Sequence, residues 1–387
     1  MRAKTESLLI RPDIYCWAIN RSGKTIEQVK KKFGKIEEWI SGDSFPTFKQ
    51  LEDLAKSLYV PFGYLFYSEP PVEKCPLPDF RTPNDSHIEK CSINLLETIY
   101  FCERLQSWYS DYARQNHYPA VSFLKSVTID DSPVDVAQKI CKQLKISFDD
   151  RKKMSSIEKN LKYIIFKAEE AGILVMNNTQ VANNSRRRLD HNEFKGFSLH
   201  DDYAPLIFIN NTDPEESRLF TIVHELAHLW LGINGISDAE HFSRDKVEQW
   251  CNQVATEILV PVELTEAIKK NASLCEIEKL SSQFNIGTLV LLRRLSYSHN
   301  VSDSEFKHYY QEKYTSLLPK PTSQRKGVPN YYTLLSARLG KPFVNSVILS
   351  TIAGKTLYNQ AFEMLGVKNT ESFNKLARRM KLLKTDK

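Results

Sequence analysis

The chain has 387 residues, 41% of them hydrophobic and 26% charged, an ordinary globular balance that excludes a disordered or collagen-like polymer. That length exceeds one core, so about two or three domains are expected. No apolar run approaches a membrane span and Met1-Arg2-Ala3-Lys4-Thr5-Glu6 is no signal peptide, so a membrane partner is excluded and a cytoplasmic location expected. The net charge of +6 is unevenly placed: residues 320–387 hold 13 Lys/Arg against 3 Asp/Glu, and the other 319 residues hold 40 against 44. Such a basic C-terminal region suits nucleic acid or an acidic protein surface, or is simply solvated. The seven cysteines, at 16, 75, 91, 102, 141, 251 and 275, form no CxxC pair and read as reduced, mostly buried thiols.

Residues 1–82 read as a small all-α unit. Thr25-Ile26-Glu27-Gln28-Val29 begins one helix, and Ile36 to Gly42 gives a short second. Phe45 to Leu58 gives a third, with apolar residues at Leu51, Leu54, Ala55 and Leu58, the helical period. Pro70, Pro71, Pro76 and Pro78 mark a boundary, and residues 83–132 read as a helical linker whose aromatics (Tyr100, Phe101, Trp108, Tyr109, Tyr112) are packing. Pro133 opens a core over 133–270, with helices near 134–145 and 155–171 and a first strand at Ile173-Leu174-Val175-Met176. Arg186-Arg187-Arg188 is placed in an exposed polar loop. Leu206-Ile207-Phe208-Ile209 is a β-rich run between Pro205 and Asn210, either a strand able to pair with an extended peptide or a buried core strand. Ile277 to Leu295 gives two helices meeting at Asn285-Ile286-Gly287, within an extension over 271–318. Residues 319–387 form a basic helical region, in which Pro319 to Gly327 is a linker by composition and Tyr358 to Met380 a helix pair about Leu365-Gly366-Val367.

The densest chemistry lies at His224-Glu225-Leu226-Ala227-His228. Residues four apart share one face of a helix, so both imidazoles can reach a single metal ion. Glu225 sits one position round, where its carboxylate can hold and deprotonate a zinc-bound water. Two His ligands and a Glu base point to metal-assisted hydrolysis, most often of a peptide bond. The helix is signalled by Asp213 as N-cap, Pro214 at the first helical position and Glu216 reaching back as a capping box. Leu219, Phe220, Ile222, Val223, Leu226, Leu229 and Trp230 follow at helical spacing, and Gly232 closes the end. The bland alternative is a chance HExxH on an ordinary helix, where buried imidazoles and a carboxylate are costly without metal or hydrogen bonds.

A catalytic zinc usually takes three protein ligands. Glu248 is the choice for the third, on a second buried helix stopped by Pro261 and with Asn252 on the same face. Glu257, Glu240 and His241 are the other candidates. Asp245 lies three residues before Glu248, so on spacing alone Glu248 serves equally well as a helix cap.

HELAH, followed about twenty residues later by Glu248-x-x-Cys251-Asn252-x-x-Ala255-x-Glu257-x-Leu259-x-Pro261, resembles the ImmA/IrrE family of zinc metallo-endopeptidases over roughly residues 134–318. Cys251 and Val254 stand where Ala and Phe are usual, modest changes in a packed helix. The resemblance implies Glu248 as third ligand beside His224 and His228, and Gly196 to Asn210 as the strand pair before the zinc helix. It also implies an α+β, predominantly helical fold: a zincin-like metallopeptidase core with a small sheet, flanked by an all-α N-terminal domain and a helical C-terminal region. Trp39-x-Ser41-Gly42, Pro46-Thr47, Gln50-Leu51 and Leu54-Ala55 resemble the Cro/C1-type helix-turn-helix repressors. Pro61 to Phe66 followed by Leu77 to Thr82 is similar to the subfamily that fuses the two. Between Gly34 and Trp39 only four residues remain where the repressor pattern has about eight, and residues 1–81 hold 13 Lys/Arg against 11 Asp/Glu. A vestigial fold used for protein contacts is therefore expected there, rather than a reader of DNA.

The activity implied is that of a zinc endopeptidase, with Glu225 moving the proton and a helix-turn-helix repressor or toxin–antitoxin partner as protein substrate. His200, Tyr203 and His241 are candidates for the oxyanion donor. A competing expectation, from another class, is a non-proteolytic regulator or antitoxin-like protein that contacts DNA or a partner protein. A third is a zinc hydrolase with a non-peptide substrate.

Overall fold

Proline, threonine and serine set most helix starts. The structure, a computed structural model, describes residues 9–78, 91–237, 245–261, 264, 273–284, 286–298, 300–318 and 331–383. Helix α1 (Pro12–Arg21) opens on a proline, whose missing N–H is no loss in a first turn. Thr25 starts α2 (Ile26–Lys30) and Thr47 starts α4 (Phe48–Leu58), each through a closed capping box. Between them α3 (Ile36–Ser41) ends on Gly42 in the left-handed conformation. Leu51, Leu54, Ala55 and Leu58 are buried as the sequence period predicts, against Ile14, Tyr15, Ile36 and Trp39. The sequence reading passed over α1, whose apolar stripe is short. Helices α2 and α3, five and six residues long, are brief for elements that would enter a groove.

The chain divides into two units, residues 1–76 with 89–97, and residues 77–88 with 98–387. In the first, the Arg21 guanidinium reaches Glu73 and the Tyr59 carbonyl, and Cys75 and Cys91 form a disulfide. The expectation of seven reduced thiols therefore fails at that pair, which no sequence spacing marks. Of the others Cys102 and Cys251 are buried, whereas Cys16 and Cys275 are exposed.

The second unit takes up α5 (Ile93–Gln115) from residue 98 onward, then α6 (Pro133–Leu144), α7 (Phe148–Lys152) and α8 (Ile157–Glu170). Trp108 stacks on Tyr112 and meets Phe343 edge-on, so these aromatics are packing, as expected. A four-stranded sheet holds β1 (Leu174–Asn178), β2 (Gly196–Leu199), β3 (Leu206–Asn210) and β4 (Gly235–Ser237) in the order β1-β3-β2-β4, with β1 parallel to β3 and the other pairs antiparallel. β3 is central and wholly buried. The notion that Leu206 to Ile209 pairs with an extended peptide is thus corrected, because both its edges are already taken. β4 is an edge strand, and its Ile236 N–H donates to the Pro78 carbonyl at 3.1 Å.

Against one face of the sheet lies α9 (Glu215–Leu231), flanked by α8 and by α10 (Lys246–Leu259). Ile207, Ile209, Phe220, Ile222, Val223, Leu226, Val254 and Ile258 fill the interface. Each fully buried aliphatic side chain of this kind contributes about 1.5–3 kcal/mol, so α9 is fixed mainly by burial. Its start differs from expectation. Pro214 is the N-cap and no side chain caps it. Asp213 instead accepts from Lys195 at 2.9 Å and from the Tyr314 hydroxyl at 2.8 Å, while Glu216 accepts from the Leu289 N–H. Long-range partners have outcompeted the local caps.

Helices α11 (Leu274–Phe284), α12 (Thr288–Tyr297) and α13 (Asp303–Leu317) form the extension, and α14 (Tyr331–Leu339), α15 (Lys341–Ile352), α16 (Tyr358–Leu365) and α17 (Thr370–Arg379) the C-terminal region. Gly366 closes α16 in the left-handed conformation, as the helix pair about Leu365-Gly366-Val367 requires. α14 and α15 were not foreseen, and most of the expected linker at 319–327 lies outside the described residues. Arg187 is buried, so only its two neighbours fit the exposed basic loop. The predominantly helical α+β fold expected from sequence is the fold observed. Among the described residues no helix is long and apolar enough to cross a membrane.

Candidate metal centre

Helical periodicity alone puts the two imidazoles of α9 one turn apart. The helix runs unbroken through them and closes at Gly232 (φ +74°), whose N–H reaches the His228 and Leu229 carbonyls. A side chain there would be strained, which is the reason for glycine. On α10 the cap is Asp245, which accepts from the Val247 N–H at 2.7 Å and the Glu248 N–H at 3.1 Å. Capping is thereby done by Asp245, and the Glu248 carboxylate turns to the imidazoles instead.

Three side chains converge. His224 Nε2 lies 3.1 Å from Glu248 Oε2, His228 Nε2 lies 3.0 Å from Glu248 Oε1, and the two Nε2 atoms are 3.0 Å apart. All three residues are fully buried. Two ring nitrogens and a carboxylate facing one point form a donor set suited to a divalent cation. Zinc at its usual 2.0–2.1 Å from each atom would space tetrahedral ligands by about 3.3 Å, close to the spacing found. Both carboxylate oxygens of Glu248 are buried and, the two imidazoles aside, meet no hydrogen-bond donor among the described residues. The residues therefore fit a metal ion.

The electrostatics follow the geometry. Burial opposes a charge on Glu248, yet the two imidazoles hold its carboxyl well below the usual range. Burial likewise opposes a charge on His228, but Cys251 and Glu248 beside it hold its pKa well above the usual value. The pocket asks for positive charge next to that carboxylate, which a cation supplies while the imidazoles stay neutral.

Glu225 is fully buried on the same helix, one position on from His224. β2 passes close beside it: a Cβ on Gly196 would stand 2.6 Å from Thr221 Cγ2, 2.9 Å from the Phe208 carbonyl oxygen and 3.3 Å from Glu225 Oε1. Glycine is what lets the strand approach this carboxylate. Asn252, one turn after Glu248, is fully buried as well.

Glu257 is bound to Arg294 at 2.6 Å, and Glu240 and His241 lie outside the described residues. His200 sits 3.7 Å from Asp202, with burial lowering its pKa. Tyr203 lies under the Arg114 guanidinium at 4.4 Å. Neither is joined to the three converging residues. Sequence reasoning missed Gly196. Cys251 is fully buried in the core on α10, three residues after Glu248, as the packed-helix reading expects.

Comparison with known proteins agrees with this geometry. Residues 168–296, about a third of the chain, match the M78 peptidase family model described as the IrrE N-terminal-like domain. Residues 339–379, covering α15 to α17, match a domain of unknown function, DUF8813. The curated proteins and the solved structures returned no match. His224, Glu225, His228 and Glu248 all lie within the segment similar to this metallopeptidase family.

Proposed function

We propose that the chain is a zinc-dependent endopeptidase that cuts a regulatory protein of the repressor or antitoxin kind. The observation that carries the proposal is the convergence of His224, His228 and Glu248 from two helices, with Glu225 buried beside them. His224 and His228 would hold the ion through Nε2 and Glu248 through its carboxylate. Bound zinc supplies Lewis acidity, which lowers the pKa of a water and polarises a peptide carbonyl. Glu225 takes the proton from the attacking water on its carboxylate and delivers it to the leaving amine nitrogen. The packed apolar surroundings of α9 exclude bulk water and strengthen each of these charge interactions.

The test is Glu225→Gln in the purified full chain, assayed on co-expressed repressor or antitoxin substrates. Retained metal with lost cleavage supports the assignment; undiminished cleavage overturns it.

The basic C-terminal region favours a second reading. Lys375, Arg378 and Arg379 are exposed on α17, on the second helix of a pair closed by Gly366. A non-proteolytic regulator would use that surface on DNA or on an acidic partner. Salt-dependent DNA binding in a chain that cleaves nothing would favour it.

A further inference from the structure

The two outer strands of the sheet are guarded unequally. A whole helix, α14, packs against β1, and Asn177 Nδ2 donates to the Ala337 carbonyl at 2.8 Å. On β4 the Ile236 N–H instead donates to the Pro78 carbonyl at 3.1 Å, and Leu77 beside it is buried. Pro76 and Pro78 have no N–H, so neither can return a bond to β4, and a full added strand is not built there. A backbone hydrogen bond beside a buried leucine is a modest, reversible hold. The lightly guarded edge is also the one nearer the metal centre. β4 pairs with β2, Ser237 opposite Gly196, and Gly196 is the residue that approaches Glu225. β1 lies two strands away from β2 on the other side. In the chain, β4 stands between α9, which carries both histidines, and α10, which carries Glu248.

We propose that Leu77-Pro78 is an autoinhibitory strap, held on the outer edge of β4 in place of a protein substrate in extended form. The inference rests on the endopeptidase reading above. A peptide that adds a strand to a sheet edge gains its affinity from main-chain hydrogen bonds, and the Ile236 N–H is such a donor, already engaged by Pro78. A substrate stretch without proline both donates and accepts along the edge, whereas the two prolines of the strap only accept. The correct substrate, brought to the enzyme at high local concentration, displaces the strap. Backbone pairing reads little side-chain identity, so an open edge would admit any unfolded chain. The strap keeps such chains out.

The test compares the full-length wild type with Leu77→Ala and Leu77→Asp, the second placing a charge where a leucine is buried. Both should keep the zinc content of the wild type, because Leu77 is no part of the metal centre. Hydrogen–deuterium exchange of the peptide containing Gly235–Ser237 reads the strap directly, and beta-casein, an unfolded chain, is the cleavage probe. A strap-free state populated at about 0.1–10%, the usual range of a minor state, holds the apparent activity down by that fraction. Both variants should therefore exchange Ile236 faster and cleave casein about 10-fold or more faster than the wild type. Glu225→Gln added to Leu77→Ala should abolish that cleavage. Damage to the fold lowers cleavage, so a gain is not explained by it, and the alanine variant is the milder of the two. Equal exchange at Ile236 in all three proteins overturns the strap, as does faster exchange with unchanged cleavage. If no form cuts casein, the strap fails, while the endopeptidase reading still answers to its own repressor and antitoxin assay. Casein cleavage that survives Glu225→Gln overturns that reading and the strap together.

Discussion

Glu248 Oε1 lies 3.0 Å from His228 Nε2, although the residues are twenty positions apart on separate helices and both are closed to solvent. Buried groups of this kind are tolerated only when their partners compensate the lost hydration. Glu248→Ala should remove that compensation, leaving two imidazoles 3.0 Å apart without the carboxylate that bridges them. We expect metal to be lost on dialysis and the metal-free fold to weaken by about 3–5 kcal/mol, the usual cost of breaking a buried pair. Metal content and a denaturant titration check the two effects separately.

Glu225→Gln should separate binding from chemistry. The amide keeps the size of the side chain but cannot take up a proton, so metal affinity should stay near wild type. Cleavage should fall about 10²–10⁴-fold, the usual contribution of a positioned general base. Turnover measured on the metal-loaded variant decides it.

Gly196→Ala probes the close passage of β2 beside α9. The added methyl would stand 2.6 Å from Thr221 Cγ2 and 2.9 Å from the Phe208 carbonyl oxygen, so strand or helix must shift. Destabilisation of about 1–3 kcal/mol is expected. Thr221→Ser, which removes the first of those contacts, should recover part of it. Equal denaturation midpoints for Gly196→Ala and the wild type would show that the strand yields freely.

The site was legible because its signals are local. HExxH fixes two imidazoles by helical spacing, whereas spacing left Glu248 balanced between ligand and cap; the family resemblance chose ligand, and the structure gives the capping to Asp245. What stayed hidden depends on residues far apart in the chain. Asp213 looks like an N-cap until Lys195 and Tyr314, the latter 101 positions later, claim its carboxylate. Leu206 to Ile209 looks like a strand free to pair until β1 and β2 occupy both its edges. The role of Gly196 shows only when the strand is laid against α9. Helices α14 and α15 were unread because α15 is apolar nearly all round, burying Phe343, Val344, Val347 and Ile348, so no polar face marks its period.

Glu169 on α8 offers a pH-dependent test away from the metal centre. Burial raises its pKa from 4.5 to about 7, against the opposing effects of the Lys341 N–H, which donates to Oε1 at 3.1 Å, and of the Lys341 charge. An acid whose folded pKa is raised holds its proton in the folded state while the unfolded chain has released it. Folding is therefore penalised progressively as pH rises from about 4.5 to about 7, and the penalty is constant above that window. Glu169→Gln keeps an acceptor for Lys341 but cannot ionise. Its stability relative to wild type should grow between pH 5 and pH 7 and then level off. Denaturant midpoints for both proteins at several pH values measure this directly, and parallel curves would show that Glu169 titrates as an ordinary exposed carboxylate.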